Sequence, residues 1–237
     1  MSAFVLIPGA WLGAWAWEEV IAPLEKEGHG AYPVVLTGMG EKAAVSLEDV
    51  GMETAIQDVL EVIKTNDLEN VVIVGHSFAG KVAAAVADRV PERVDRLIYL
   101  DGFTPEKIGT PQGSFPDEFP VEGLKVPFPE EFLKSAGKDV QGKDRERLLS
   151  NATACPVRYF RDPITLSKAF DSVREAYIYC RGGDTLSWLL SQASGNPGED
   201  EALSRILRGP HRIIDSGHWP MITRPLELAE SLMSLTR

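Results

Sequence analysis

Val71-Val72-Ile73-Val74-Gly75-His76-Ser77-Phe78-Ala79-Gly80 is the stretch from which the fold of this chain can be read. Four consecutive β-branched residues form an uninterrupted apolar run. Such a run suits a strand buried on both faces, which is the environment of a parallel sheet. A Gly-x-Ser-x-Ala-Gly turn follows. From Ala79 to Val90 the residues are small and apolar at helical spacing, and Pro91 stops them. Strand, tight turn and helix in that order place one serine at the carboxyl edge of a sheet. Small neighbours leave room for strand and helix to approach closely.

Outward from this unit the same rhythm repeats. Phe4 to Ile7, Tyr32 to Leu36, Val94 to Leu100, Glu175 to Cys180 and Pro210 to Ile214 are further strand candidates. A helix is predicted from Gly13 through Leu24. Another is capped by Ser46, with Asp49 as a weak capping-box partner. Further helices are predicted over Thr185 to Leu190, Glu199 to Leu207 and Arg224 to Leu235. Strands alternating with helices imply an α/β fold, with a mostly parallel central sheet flanked by helices.

The rhythm breaks between Gly102 and Phe170. Pro105, Pro111, Pro116, Pro120, Pro127, Pro129, Pro156 and Pro163 fall there, interleaved with Phe103, Phe115, Phe119, Phe128 and Phe132. Prolines at that density exclude a central strand, and a structureless loop of that length needs a purpose. The stretch reads as an inserted cap over residues 103–170, with the core formed by 1–102 and 171–237.

Composition narrows the partners. The 237 residues carry a net charge of -11, which repels nucleic acid and anionic membranes. No apolar run reaches the length of a membrane span, and the amino terminus lacks the basic region of a signal peptide. A cytoplasmic protein is expected. Cys155 and Cys180 form no CxxC pair, and with four histidines they make no metal-ligand pattern, so both read as buried thiols and no metal is expected.

A serine needs a base. Of His29, His76, His211 and His218, the last follows the final strand in the polar loop Asp215-Ser216-Gly217-His218. There the carboxyl ends of parallel strands form the usual crevice. His76 adjoins the nucleophile and reads as structural. The acid that orients the base is assigned to Asp184, which follows the Glu175 to Cys180 strand. Asp101, directly after Leu100, is the alternative acid. The backbone N–H groups of Ala10 and Phe78 are the expected oxyanion hole. Trp11, Met39, Phe103 and Trp219 are the pocket candidates.

These features together resemble the α/β-hydrolase superfamily. The nearest likeness is to the branch of plant hydroxynitrile lyases, methylesterases and their bacterial esterase relatives. The resemblance rests on Phe4 to Trp17, Leu36 to Gly40, Gly75 to Gly80, Tyr99-Leu100-Asp101, Gly183-Asp184 and Ser216-Gly217-His218. It implies Ser77, Asp184 and His218 as the triad, no metal or organic cofactor, and homodimers as a possible assembly. The chain departs from the branch in two respects. Pro8-Gly9 stands where many relatives have His-Gly. Gly9 and Trp219 stand where the plant lyases carry a threonine and a lysine. Without that lysine, no cation waits for departing cyanide, which favours hydrolysis. The expected activity is cleavage of a small, largely apolar carboxylic ester through an acyl-enzyme. A hydroxynitrile or other lyase, a cofactor-free dioxygenase and a non-catalytic small-molecule binder are the alternatives.

Overall fold

The computed structural model describes residues 1–102, 119–183 and 209–236. Six strands form one sheet: β1 (Ala3–Ile7), β2 (Gly30–Pro33), β3 (Val71–His76), β4 (Val94–Leu100), a strand at Glu175–Cys180 and a last one at His211–Ile214. Two short strands of the inserted region, β5 (Lys125–Val126) and β6 (Cys155–Pro156), precede the last two, which are therefore β7 and β8. The order across the sheet is β2-β1-β3-β4-β7-β8, and every neighbouring pair is parallel.

Alternation along each strand divides the core into two layers. Val5, Ile7, Val71, Ile73, Leu97 and Tyr99 pack on one face with α2 (Met52–Thr65) and α3 (Ala79–Arg89). Phe4, Leu6, Val72, Val74, Ile98 and Ile178 face the other layer. There they meet α1 (Glu18–Lys26) and the carboxyl-terminal helix Pro225–Ser234. Every residue of β3 is buried, as the β-branched run requires. Cys155 and Cys180 are buried free thiols.

Three sequence expectations are corrected. The strand expected over Tyr32 to Leu36 lies at Gly30–Pro33, because its ladder with β1 runs from Ala3 opposite Gly30 to Leu6 opposite Pro33. Pro33 has no N–H to donate and is tolerated on this edge strand. The predicted first helix opens instead as a 3₁₀ turn, Ala14–Trp17, whose N–H groups at Ala14 and Trp15 donate to the Glu41 carboxylate. Finally, α2 starts at Met52 and not behind Ser46. The Gly51 N–H donates to Thr54 Oγ1 at 3.2 Å and the Met52 N–H to Asp162 Oδ2 at 3.2 Å. A carboxylate 110 positions away thus caps the helix, and no local pattern could announce it. The helices expected at 185–190 and 199–207 lie outside the described residues.

The inserted region holds α4 (Glu130–Ala136), α5 (Gly142–Asn151), the antiparallel β5-β6 pair and α6 (Arg158–Arg161). It is tied to the core at defined points. Trp11 Nε1 donates to the Val126 carbonyl at 3.0 Å, the Thr153 N–H to the Trp11 carbonyl at 2.9 Å, and Tyr159 Oη to the Thr37 carbonyl at 2.5 Å. Among the described residues, no helix is long and apolar enough to cross a membrane.

Candidate active site

The chain order reverses at β1: β2 lies on one side of it and β3 on the other. Connections leaving the carboxyl ends of β1 and β3 therefore diverge and leave a crevice between them, where ligands of open α/β sheets bind. The loop Gly9–Trp11 and the turn at Ser77 border this crevice.

Ser77 has φ 56°, a left-handed conformation that a non-glycine residue holds at a cost of order 1–3 kcal/mol. The surrounding packing enforces it. The Ser77 N–H donates to the Leu100 carbonyl at 3.1 Å, and the Ser77 carbonyl accepts from Gly80 N–H at 3.1 Å. A Cβ on Gly75 would stand 2.6 Å from the Ala79 carbonyl oxygen and 2.8 Å from Ala83 Cβ, so only glycine lets α3 fold back this closely. His76 and Phe78 are buried, while Ser77 between them is half-buried, so the turn leaves the serine more open than its two neighbours. Of the first N–H groups of α3, those of Gly80 and Lys81 donate to the Ser77 and Phe78 carbonyls at 3.1 Å, so what the helix brings to the turn is the positive end of its dipole.

Gly9 lies against this turn: a Cβ there would reach within 2.4 Å of His76 Nδ1 and 3.2 Å of Ser77 Cβ. Ala10 and Trp11 follow immediately, and Trp11 is also left-handed at φ 68°. The first-strand loop and the elbow are thus brought together, as the oxyanion-hole assignment to Ala10 and Phe78 requires.

His218 follows β8 and is held at three points. Its Nδ1 is 2.6 Å from Asp101 Oδ2, its N–H donates to the Ala136 carbonyl at 2.7 Å, and its carbonyl accepts from His76 Nε2 at 2.7 Å. Asp101 and His218 are 1% and 5% exposed, so their bond is sheltered from water. A carboxylate at Nδ1 places the neutral ring's proton there and leaves the Nε2 lone pair as the basic site. Asp101 is itself left-handed, at φ 38°, and its N–H donates to the Ile178 carbonyl at 2.8 Å.

The sequence preference for Asp184 meets a different carboxylate at the base. The carboxylate on His218 Nδ1 belongs to Asp101, the alternative at the end of β4, and Asp184 lies outside the described residues. Both follow a strand, so sequence order could not separate them. A bond between β4 and the loop after β8 could.

Aromatic rings surround the pair. Phe132 of α4 and Trp219 each stand 5.3 Å from the His218 ring, edge to face. Trp11 meets Phe119 at 5.3 Å and Phe128 at 5.7 Å, and Phe78 meets Phe160 at 5.7 Å. Of the pocket candidates, Trp11 and Trp219 join this shell, Met39 is wholly buried in the core layer shared with Ala10 and Phe78, and Phe103 lies outside the described residues. Sequence reasoning missed Phe160, although the density of aromatics just upstream was a usable signal. It also missed the Ala136 carbonyl, which has no sequence signal because a backbone atom does the work. His29 is remote, accepting from the Ser2 N–H at 3.1 Å. Among the described residues, no group of three or more His, Cys, Asp or Glu side chains could hold a metal ion.

Comparison with known proteins agrees with this fold. A family model described as "Alpha/beta hydrolase family" matches residues 4–231. The carbendazim hydrolyzing esterase of Nocardioides sp. (strain SG-4G) is 31% identical, over 99% of this chain and 100% of its own length. Methylesterase 2 of Arabidopsis thaliana is 27% identical over 98% of this chain and 95% of its own. Among solved structures, an extracellular alpha/beta-hydrolase from a Paenibacillus species is described as sharing structural and functional homology with tobacco salicylic acid binding protein 2. It superposes with a TM-score of 0.77 at 24% identity, covering 100% of this chain and 99% of that one, and so speaks for the fold.

Proposed function

The chain belongs to the α/β-hydrolase family, close to its plant methylesterase and hydroxynitrile lyase-like branch and to bacterial esterases, and on that premise we propose that it is a serine esterase. Ser77 is the nucleophile, His218 the base and Asp101 the acid. The observation that carries this reading is the sheltered 2.6 Å bond from His218 to Asp101, in a loop that the elbow residue His76 also grips.

The ester carbonyl enters the crevice with its oxygen toward the N–H groups of Ala10 and Phe78. His218 Nε2 takes the proton of Ser77 as Oγ attacks, and the two N–H groups stabilise the oxyanion that forms. Asp101 balances the imidazolium. Collapse expels the alcohol, which leaves with the proton from Nε2. Water then gives its proton to Nε2 and attacks the acyl-enzyme, and Ser77 recovers its proton as the acid departs.

The aromatic shell around His218 and Trp11 favours an apolar, ring-bearing substrate. The name of one similar protein, a methylesterase, supports a small alcohol as the departing part. The test is burst and steady-state hydrolysis of a p-nitrophenyl ester panel by the wild type and Ser77→Ala. Turnover that disappears in a folded Ser77→Ala protein supports the reading. Equal turnover in both proteins overturns it.

A further inference from the structure

His76 is 1% exposed and next in the chain to the nucleophile. Its Nε2 lies 2.7 Å from the carbonyl oxygen of His218, and the two rings stand 4.7 Å apart, inclined at 43°. A carbonyl oxygen only accepts, so Nε2 must carry a proton. Nδ1, buried and without a hydrogen-bond partner among the described residues, faces the Cα of Gly9. A second proton there would be buried and unpaired, which is costly. Burial, reinforced by neighbouring His218, accordingly pushes the His76 imidazole well below the usual histidine range. The ring is a neutral, fixed donor.

We infer that His76 is a positioning residue: its Nε2–H holds the backbone carbonyl of His218 and so sets where the base stands relative to Ser77. The inference rests on the reading of Ser77 and His218 as nucleophile and base. Other contacts locate His218 only against different parts of the fold. Asp101 ties its ring to the end of β4, and Ala136 ties its N–H to the end of α4. Among the described residues, the hydrogen bond from His76 is the one that joins the base loop to the elbow that carries the nucleophile. Neutrality also suits the reaction. When His218 becomes an imidazolium, a charged His76 ring 4.7 Å away would oppose it, whereas a neutral donor does not.

The test compares His76→Phe, which keeps an aromatic ring without a donor, with His76→Gln. The Gln amide nitrogen stands as many bonds from the backbone as histidine Nε2 and can donate to the same carbonyl. Both are assayed for kcat and KM on the best p-nitrophenyl ester. A fluorophosphonate then measures the rate of Ser77 modification, and thermal unfolding reports folding. A displaced base predicts a kcat about 10- to 100-fold lower in His76→Phe with KM little changed, Ser77 modification slowed in parallel, and most of both restored in His76→Gln. A folded His76→Phe with wild-type kcat overturns the inference, as does a folded His76→Gln no better than His76→Phe. Should His76→Phe not fold, ¹⁵N resonances of the wild type decide. The Nε2–H tautomer of His76 at neutral pH is expected, and the Nδ1–H tautomer or an imidazolium overturns the inference. Ser77→Ala is run alongside: turnover surviving in it defeats the esterase reading, whereas a neutral outcome at His76 with Ser77→Ala inactive defeats the positioning role alone.

Discussion

Replacing Asp101 by asparagine tests the acid with almost no change of shape. Two costs can be separated by size. Exchanging a charge-assisted hydrogen bond for a weaker one costs about 1.5–3 kcal/mol, or roughly 10- to 150-fold in rate. A change of tautomer costs more. Asp101 Oδ1 faces the N–H of Cys180 at 3.4 Å while Oδ2 faces His218 Nδ1 at 2.6 Å. An asparagine keeps its oxygen toward the Cys180 N–H, since an N–H cannot accept from another. Its NH₂ group then points at Nδ1, which must become the lone pair, and the proton moves to Nε2. That nitrogen can no longer accept from Ser77. Loss of a triad carboxylate in this manner lowers kcat by about 10⁴, equivalent to about 5.5 kcal/mol. Asp101→Asn is therefore expected to lose three to four orders of magnitude in kcat/KM on the best p-nitrophenyl ester, with its thermal unfolding midpoint nearly retained. Asp184→Asn in the same assay is expected to stay within about tenfold of wild type. A nearly active Asp101→Asn beside a crippled Asp184→Asn would refute the reasoning and return the acid to the loop after β7.

Three further perturbations have defined outcomes. Because burial holds His76 below the ordinary pKa of 6.5, the unfolded chain takes up a proton below pH 6.5 that the folded chain refuses. Its contribution to stability is complete above that pH and falls on acidification, by up to about 1.4 kcal/mol per pH unit. Urea unfolding of wild type and His76→Gln at pH 7 and pH 5.5 should show the extra loss in the wild type alone, and identical pH dependence would refute it. Gly75→Ala drives a methyl into the Ala79 carbonyl. An overpacking cost of about 1–3 kcal/mol and a Tm lower by roughly 2–12 °C are expected, and an unshifted Tm in calorimetry would count against the close-approach argument. Phe132→Ala removes the ring edge beside His218. It should lower the preference for aromatic over acetyl esters by about 2- to 10-fold in kcat/KM, and an unaltered ratio would place the substrate elsewhere.

Much of the molecule was legible in one dimension because its physics is local. The run Val71 to Val74 could only be a doubly buried strand, and it is wholly buried. The helix after Ser77 begins at Ala79, as its small residues required. The loop after the last strand does carry a buried histidine. The prolines and phenylalanines after Gly102 were sufficient to mark an insertion, and the rings of Phe119, Phe128 and Phe132 turn inward toward Trp11 and His218.

Where expectation and structure diverge, the deciding partner is far away in the chain. Asp162 caps α2 in place of Ser46, and pairing with β1 moves β2 toward Gly30. Asp101 reaches His218 across 117 positions. Strand periodicity, turn chemistry and a nucleophile's need for small neighbours act within a few residues, and so the sequence by itself determined the alternating α/β order, the elbow at Ser77 and the terminal histidine. The meeting of the Asp101 carboxylate with His218 Nδ1, the grip of His76 on the His218 carbonyl and the closing of the aromatic shell depend on which strand ends meet. Only the tertiary structure decided these, because a hydrogen bond registers distance in space and is indifferent to distance along the chain.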